Sequence, residues 1–268
     1  MRALQDRLPE LQKQPPCIHV AGTNGKGSVS VMLAEIFQQA GYKVGLYTSP
    51  HLHDFGERIR INGKAATSEE IIVLTEAVRA VSMDLPITFF EATTAMALLA
   101  FHRQKVDIAI IETGLGGRLD ATNIVESKLS LITPVSYDHS EHLGECLEGI
   151  AAEKAGIIKA RTPVVVGKQV PEVVAVLRQV ALSQNAEIII ADDDYSWAGS
   201  LQRFHVDMKS SKVENLRCNL AGAHQADNFA QAVVAALKMR SFGFAVNDHH
   251  IRSAGQNLSW PGRLEWWG

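Results

Sequence analysis

The chain has 268 residues, 46% of them hydrophobic, a size between one large and two ordinary domains with ample material for a soluble globular core. Its 26 basic and 29 acidic residues leave a formal charge of −3, so no global field recruits nucleic acid or an anionic membrane and any polyanion must be met locally. Three scattered cysteines, Cys17, Cys146 and Cys218, argue against a disulfide framework or a zinc site, and the absence of a leader or a long apolar run leaves a reducing cytoplasm as the expected location.

Leu4, Leu8 and Leu11 recur at helical spacing, which predicts a helix over 1–14 ended by Pro15-Pro16. Cys17-Ile18-His19-Val20-Ala21 then reads as a buried strand, followed by a glycine-rich turn and a helix with Val29, Met32, Leu33, Ile36 and Phe37 on one face and Gly41 as its stop. Strand, glycine turn and helix together present backbone N–H groups and a helix N-terminus to a phosphate, and Lys26 adds a positive charge for the outer phosphates. The pattern G-x-x-x-x-G-K-[ST] is not strictly met, because Val20 stands at its first glycine and Gly27 where Ser or Thr should follow the lysine.

Residues 44–47 predict a second strand, and 48–62 a long loop rich in groups that bind anions or metals. Thr67-Ser68-Glu69-Glu70 signals a helix to about Val81, residues 85–90 a strand or extended lead-in, and 91–104 a buried, alanine-rich helix. Residues 106–112 have the β-branched, apolar composition of a parallel strand covered on both faces, and it ends in Glu112. Strands at 129–133, 163–166 and 187–191 alternate with helices at 148–158 and 171–183, which predicts a doubly wound α/β sheet, mostly parallel, of the P-loop type. Beyond Asp192, residues 202–208 and 216–220 read as short antiparallel strands on the sheet's edge, before helices at 225–240 and 248–258. The final Trp266-Trp267-Gly268 reads as a chain cut at a domain boundary.

In an open parallel sheet, ligands bind beyond the carboxyl ends of the strands. There the first strand delivers the phosphate loop, the second Ser49 and His51, the 106–112 strand Glu112 and the loop 114–120, and the 129–133 strand Asp138 and His139. Taken singly, Glu112 is either a strand-end carboxylate in solvent or a Mg²⁺ ligand facing a nucleotide, and His139 and His142 are surface or capping histidines by default. Converging on one phosphate loop, they favour a divalent-metal site.

Six blocks, in order over nearly the whole chain, resemble the folylpolyglutamate synthase/dihydrofolate synthase family of the Mur-ligase superfamily. They are Gly22-Thr23-Asn24-Gly25-Lys26-Gly27-Ser28, Thr48-Ser49-Pro50-His51-Leu52, Glu112 through Asn123, Asp138-His139 with Leu143-Gly144, Glu153-Lys154-Ala155-Gly156-Ile157 and Pro261-Gly262-Arg263. In that family Lys-Gly-Ser replaces the usual Lys-[Ser/Thr], so the irregular phosphate loop fits the resemblance.

The resemblance implies that Gly22, Thr23, Asn24, Gly25, Lys26, Gly27 and Ser28 hold the phosphates of ATP, that Asn228 reads adenine, and that Arg263 reaches the nucleotide. It implies two Mg²⁺ sites, one on Ser49 and Glu112, the other served by His139 and a carbamylated Lys154. Lys26, His139 and Lys154 are the implied catalytic residues. Thr88, Phe89, Phe90 and Glu91 with Leu119, Asp120 and Ala121 would hold the pterin end of the substrate, the two phenylalanines either stacking on the ring or packing in the core. Arg58 and Arg60 are candidates for the substrate carboxylate.

The implied reaction is ATP-dependent addition of L-glutamate to dihydropteroate, to folates, or to both, through an acyl phosphate, by a monomer with no nucleic-acid or membrane partner. Family members carry a smaller Rossmann-like α/β domain after the Pro-Gly-Arg segment. Residues 1–260 are therefore expected to be the ATP-binding domain and 261–268 the start of a linker to a C-terminal domain absent here, so that this stretch alone binds nucleotide without forming the amide at a useful rate. Two alternatives stand beside this reading: a Mur-type cell-wall ligase, disfavoured by the Thr-Ser-Pro-His loop and the Lys-Gly-Ser variant, and a regulatory P-loop module that ligates nothing.

Overall fold

The computed structural model describes residues 1–137, 146–209 and 211–262. Its centre is an eight-stranded sheet in the order β4-β3-β2-β5-β1-β6-β7-β8. The strands are β1 (Cys17–Ala21), β2 (Val44–Tyr47), β3 (Ile59–Ile61), β4 (Lys64–Ala65), β5 (Ile108–Glu112), β6 (Leu129–Ile132), β7 (Val164–Val166) and β8 (Ile188–Ile190). The run from β2 to β8 is parallel throughout, and β3 and β4 add an antiparallel edge. The parallel strands are apolar because helices cover both faces.

On one face, Ile18 and Val20 of β1 pack with α2 (Lys26–Gln39), α7 (His224–Lys238) and α8 (Asp248–Asn257). On the other, Cys17, Ala109 and Ile111 pack with α1 (Arg2–Arg7), α3 (Ser68–Ser82) and α4 (Phe89–Arg103). Toward β8, α5 (Leu147–Ala155) and α6 (Pro171–Ser183) complete the second layer through Ile150, Val173 and Leu177. The chain leaves β1 for β2 on one side and reaches β6, β7 and β8 on the other, so the direction of winding reverses beside β1. The crevice that this reversal opens lies at the carboxyl ends of β1, β5 and β6.

Four sequence expectations change. The leucine spacing does bury Leu4, Leu8 and Leu11, but α1 stops at Arg7 because Leu8 precedes a proline and takes φ −125°, ψ 85°; a 3₁₀ turn, Pro9–Gln12, carries Leu11. The expected loop 48–62 ends in a 3₁₀ turn (Phe55–Arg58) and a hairpin, with β3 paired to β2 and β4 reached through Asn62 and Gly63, both at positive φ. No strand forms over 85–90, because Thr88 and Glu91 make a capping box that draws Phe89 and Phe90 into the first turn of α4. The small antiparallel sheet is present as a separate three-stranded unit, β9 (Tyr195–Ser200), β10 (Arg203–Met208) and β11 (Ser211–Leu216): β10 is the strand expected at 202–208, β9 was not expected, and the strand expected at 216–220 lies earlier, as β11.

That small sheet is tied to the core by an aromatic ladder. The Phe204 ring stands edge-on to Trp197 at 5.9 Å and to Phe229 of α7 at 6.0 Å, and is itself 2% exposed. Among the described residues no helix is long and apolar enough to cross a membrane. Phe204→Ala should lower the unfolding free energy by roughly 3–5 kcal/mol, the cost of emptying a buried aromatic site, as a fall in the urea midpoint at unchanged slope.

Candidate active site

The phosphate loop is shaped by what stands behind it. Gly25, at φ +86°, caps α2, and a Cβ there would lie 2.6 Å from Oδ1 of Asn228, so both the backbone angle and the space call for glycine. Asn228 is thus a wall of the loop, and its Nδ2 donates to Gln225 Oε1 at 2.9 Å. The Thr23 and Asn24 amides donate to the Pro134 carbonyl at 3.0 and 3.2 Å. Thr23 Oγ1 both donates to the Ser136 carbonyl and accepts from the Ser136 amide. Lys26 Nζ donates to the carbonyls of Gly22 (3.0 Å) and Thr23 (3.2 Å), curling back over the loop it serves.

Facing this loop is Glu112, at the end of β5 and 4% exposed. Its Oε2 accepts from the Ser49 amide at 3.2 Å and lies 3.7 Å from where a Cβ on Gly27 would stand. Loop, Ser49, Glu112, His224 and Asn228 line one cavity of about 580 Å³. A buried carboxylate beside a hydroxyl is a hard oxygen donor set of the kind Mg²⁺ takes, with phosphate oxygens filling its remaining positions. Among the described residues there is no cluster of three or more His, Cys, Asp or Glu that could hold a metal without such help. Asp138, His139, His142 and Arg263 lie outside the described residues.

Ser49 is carried by a segment that is fixed by one carboxylate. Glu57 accepts from the amides of Leu52 (2.9 Å), His53 (3.0 Å) and Asp54 (2.9 Å) and completes a capping box with Asp54. These backbone donors, Leu52 first, pull its pKa down to about 2. Arg58 is buried, donates through Nε to His51 Nδ1 at 2.8 Å, and lies over the rings of Phe55 and Phe89. Arg60 lies over Trp260. Both arginines offered for a substrate carboxylate are therefore engaged by other side chains of the protein.

The remaining predicted residues gather around a second cavity of about 640 Å³, lined by Thr88, Phe90, Glu91, Leu119, Asp120 and Ala121 together with 115–118 and Glu153. Phe89 is the exception, 64% exposed and turned toward Phe55 and Arg58. Phe90 serves packing as well, lying 6.1 Å from Tyr47 and filling the space above Gly114. Asp120 organises the loop: Oδ2 accepts from the amides of Gly114 and Leu115, and Oδ1 from the Thr122 amide, each at 2.9 Å.

Lys154 joins the two cavities. It is 2% exposed on α5, and its Nζ donates to the Gly22 carbonyl of the phosphate loop at 2.9 Å. Its neighbour Glu153 lines the second cavity and pairs with Arg118 at 2.7 Å. A Cβ on Gly117 would sit 2.7 Å from the Glu153 carbonyl, so glycine lets the substrate loop lie directly on α5. A third cavity, of about 570 Å³ between the β3–β4 hairpin, α3 and α4, is more apolar and contains none of the predicted residues.

Sequence reasoning passed over His19. It is fully buried, its Nε2 lies 2.8 Å from Thr122 Oγ1, and burial, with a smaller contribution from the Lys159 cation, pushes its pKa down to about 3. The available signal was a polar residue inside an otherwise apolar strand.

The Glu57 cage predicts a pH dependence. Its folded pKa is depressed, so its stabilisation is present above the ordinary carboxylate range and is lost as pH falls from about 4.5 toward about 2. Near neutral pH, Glu57→Gln should speed amide exchange at Leu52, His53 and Asp54, and the difference from wild type should close as the pH approaches 2.

Comparison with known proteins fits this geometry. The Mur ligase middle domain family matches residues 20–236. The dihydrofolate synthase/folylpolyglutamate synthase of Bacillus subtilis is 39% identical over 99% of the chain, which spans 65% of that relative's length. The apo form of L. casei FPGS superposes with a TM-score of 0.92 at 33% identity, covering 98% of this chain and 68% of that one. E. coli FolC in complex with DHPP and ADP gives 0.90 at 33% identity, covering 98% and 62%. Fold, order of motifs and extent of match agree: the chain belongs to the folylpolyglutamate synthase/dihydrofolate synthase family of Mur ligases.

Proposed function

We propose that this chain is the ATP- and folate-binding part of a cytoplasmic ligase that adds L-glutamate to dihydropteroate, to folylpolyglutamate, or to both. The observation that carries the reading is the pair of cavities joined by consecutive residues of α5, Lys154 on the phosphate loop and Glu153 in the wall of the other cavity. The similar structure of E. coli FolC in complex with DHPP and ADP supports a reading with room for two ligands. Residues 1–260 are the ATP-binding domain in this reading.

The carboxylate oxygen of the bound pteroate or folate attacks the γ-phosphorus of ATP, and ADP leaves. The amine of glutamate then attacks the acyl carbon, and phosphate leaves as the nitrogen loses a proton. Residues 22–28 hold the phosphates with backbone amides, and Lys26 follows the charge on the transferring group. Ser49 and Glu112 would hold one Mg²⁺, His139 and a carbamylated Lys154 a second, and the ions supply charge neutralisation. Residues 88–91 and 114–121 orient the acceptor, so positioning and neutralisation do the work without a protein nucleophile.

Lys26→Ala should weaken MgATP binding about tenfold or more in calorimetry, roughly 1.4 kcal/mol or beyond, with thermal unfolding unchanged; equal affinities would refute the loop assignment. Supplying MgATP, L-glutamate and either dihydropteroate or tetrahydrofolate, and following glutamylated product by mass spectrometry, identifies the acceptor. For Lys154, ¹³C-bicarbonate with MgATP should give a carbamate carbon resonance that Lys154→Arg abolishes, whereas the same resonance in both proteins would rule the assignment out.

A further inference from the structure

We propose that His19 and Thr122, which line neither cavity, are positioning residues for the substrate loop. A relay of hydrogen bonds from the central strand through Thr122 to Asp120 sets where the Gly114 and Leu115 amides, and with them one wall of the 640 Å³ cavity, stand. The inference rests on the reading of that cavity as the pteroate site.

The relay has a single direction. Asp120, as a carboxylate, only accepts, so the Thr122 hydroxyl, 2.5 Å from Oδ1, donates to it. The lone pairs of Oγ1 are then left for His19, whose Nε2 must carry the proton. The sequence of donors is therefore His19 to Thr122 to Asp120, while the loop amides of Gly114 and Leu115 donate to Asp120 from the other side. With Thr122 supplying both its amide and its hydroxyl, each Asp120 oxygen accepts two hydrogen bonds.

The anchor of this relay is a strand in the interior of the sheet. β1 is paired in parallel to β5 on one side and β6 on the other, and Ile18 and Val20 lock its opposite face under α2 and α7. Histidine is an expensive choice at this position. Its Nδ1 is buried with no hydrogen-bond partner among the described residues, where an apolar side chain would leave no such acceptor. What a leucine could not supply is the Nε2–H that orients Thr122. Burial holds the imidazole neutral throughout the range in which the protein works, so the donor stays on one nitrogen. In this low-dielectric setting each bond polarises the next, which stiffens the loop more than an isolated contact would.

The test uses the 268-residue chain and the variants Thr122→Val, Thr122→Ser, His19→Leu and His19→Gln. Thr122→Val and His19→Leu should bind dihydropteroate about tenfold more weakly in calorimetry, while MgATP affinity stays within about twofold, because the relay serves one cavity. Thr122→Ser, which keeps the hydroxyl, should stay near wild type, and His19→Gln, which keeps a donor, should recover part of the loss. Amide exchange at Gly114 and Leu115 should rise in the two disruptive variants alone, and ¹⁵N NMR of the wild type should show the Nε2–H tautomer of His19. Wild-type affinity together with wild-type exchange in Thr122→Val would overturn the relay, as would an Nδ1–H tautomer. If the wild-type chain does not bind dihydropteroate, the reading of the cavity fails, and exchange and tautomer still decide the relay.

Discussion

The Gly22 carbonyl receives two ammonium groups, Lys26 at 3.0 Å and Lys154 at 2.9 Å, and much of the site follows from that convergence. Lys154 is nearly inaccessible to water, and a buried cation is tolerable only when its charge is met by fixed acceptors. The fold supplies the Gly22 carbonyl by setting α5 beside the phosphate loop, while the 114–120 loop lies on α5 closely enough to leave no room for a side chain on Gly117. Both lysines hold the loop that lines the cavity, and the Pro134 carbonyl takes its Thr23 and Asn24 amides, so the loop is shaped by partners on each side before any phosphate arrives. Such preorganisation is the main thing a phosphoryl-transfer site needs from its protein.

Much of this arrangement was legible in the sequence because it rests on local chemistry. The apolar strands, the Thr67 capping box and the glycine turn before Lys26 each specify their geometry within a few residues. Three misreadings had local signals too, each outweighed by a stronger one. Asn62-Gly63 is a hairpin signal, hidden by the polar stretch before it; Thr88-x-x-Glu91 is a capping box, hidden by the β-like Ile87 and Phe89; and the Leu8-Pro9 break was masked by a leucine spacing that a 3₁₀ turn also satisfies.

What the sequence could not show were the contacts across the sheet. Arg58 looks like a free cation in a polar loop, yet in the fold it is buried with His51 and two phenylalanine rings. Asn228, expected at a base, lines the cavity of the phosphate loop, and the structure also makes it the floor under Gly25. The three-stranded sheet was half seen because its strands gain their apolar partners from α7 and α8, as Phe204 does on Phe229. For Asn228 and Phe204 the deciding partner lies far along the chain, and no local pattern encodes it.

The two cavities differ in how they are held. The phosphate loop is a tight turn braced by cations and by Asn228, so its form is fixed by sterics and charge. The 114–121 loop lies on α5 at Gly117 and against Phe90 at Gly114, and its Gly114 and Leu115 amides are held by one carboxylate, Asp120. A carboxylate that folds a loop must itself be aimed, and a surface side chain would aim it poorly. Routing that task through Thr122 to a histidine on β1 ties the 114–121 loop to a strand paired on both sides, so both cavities are registered against the same strand.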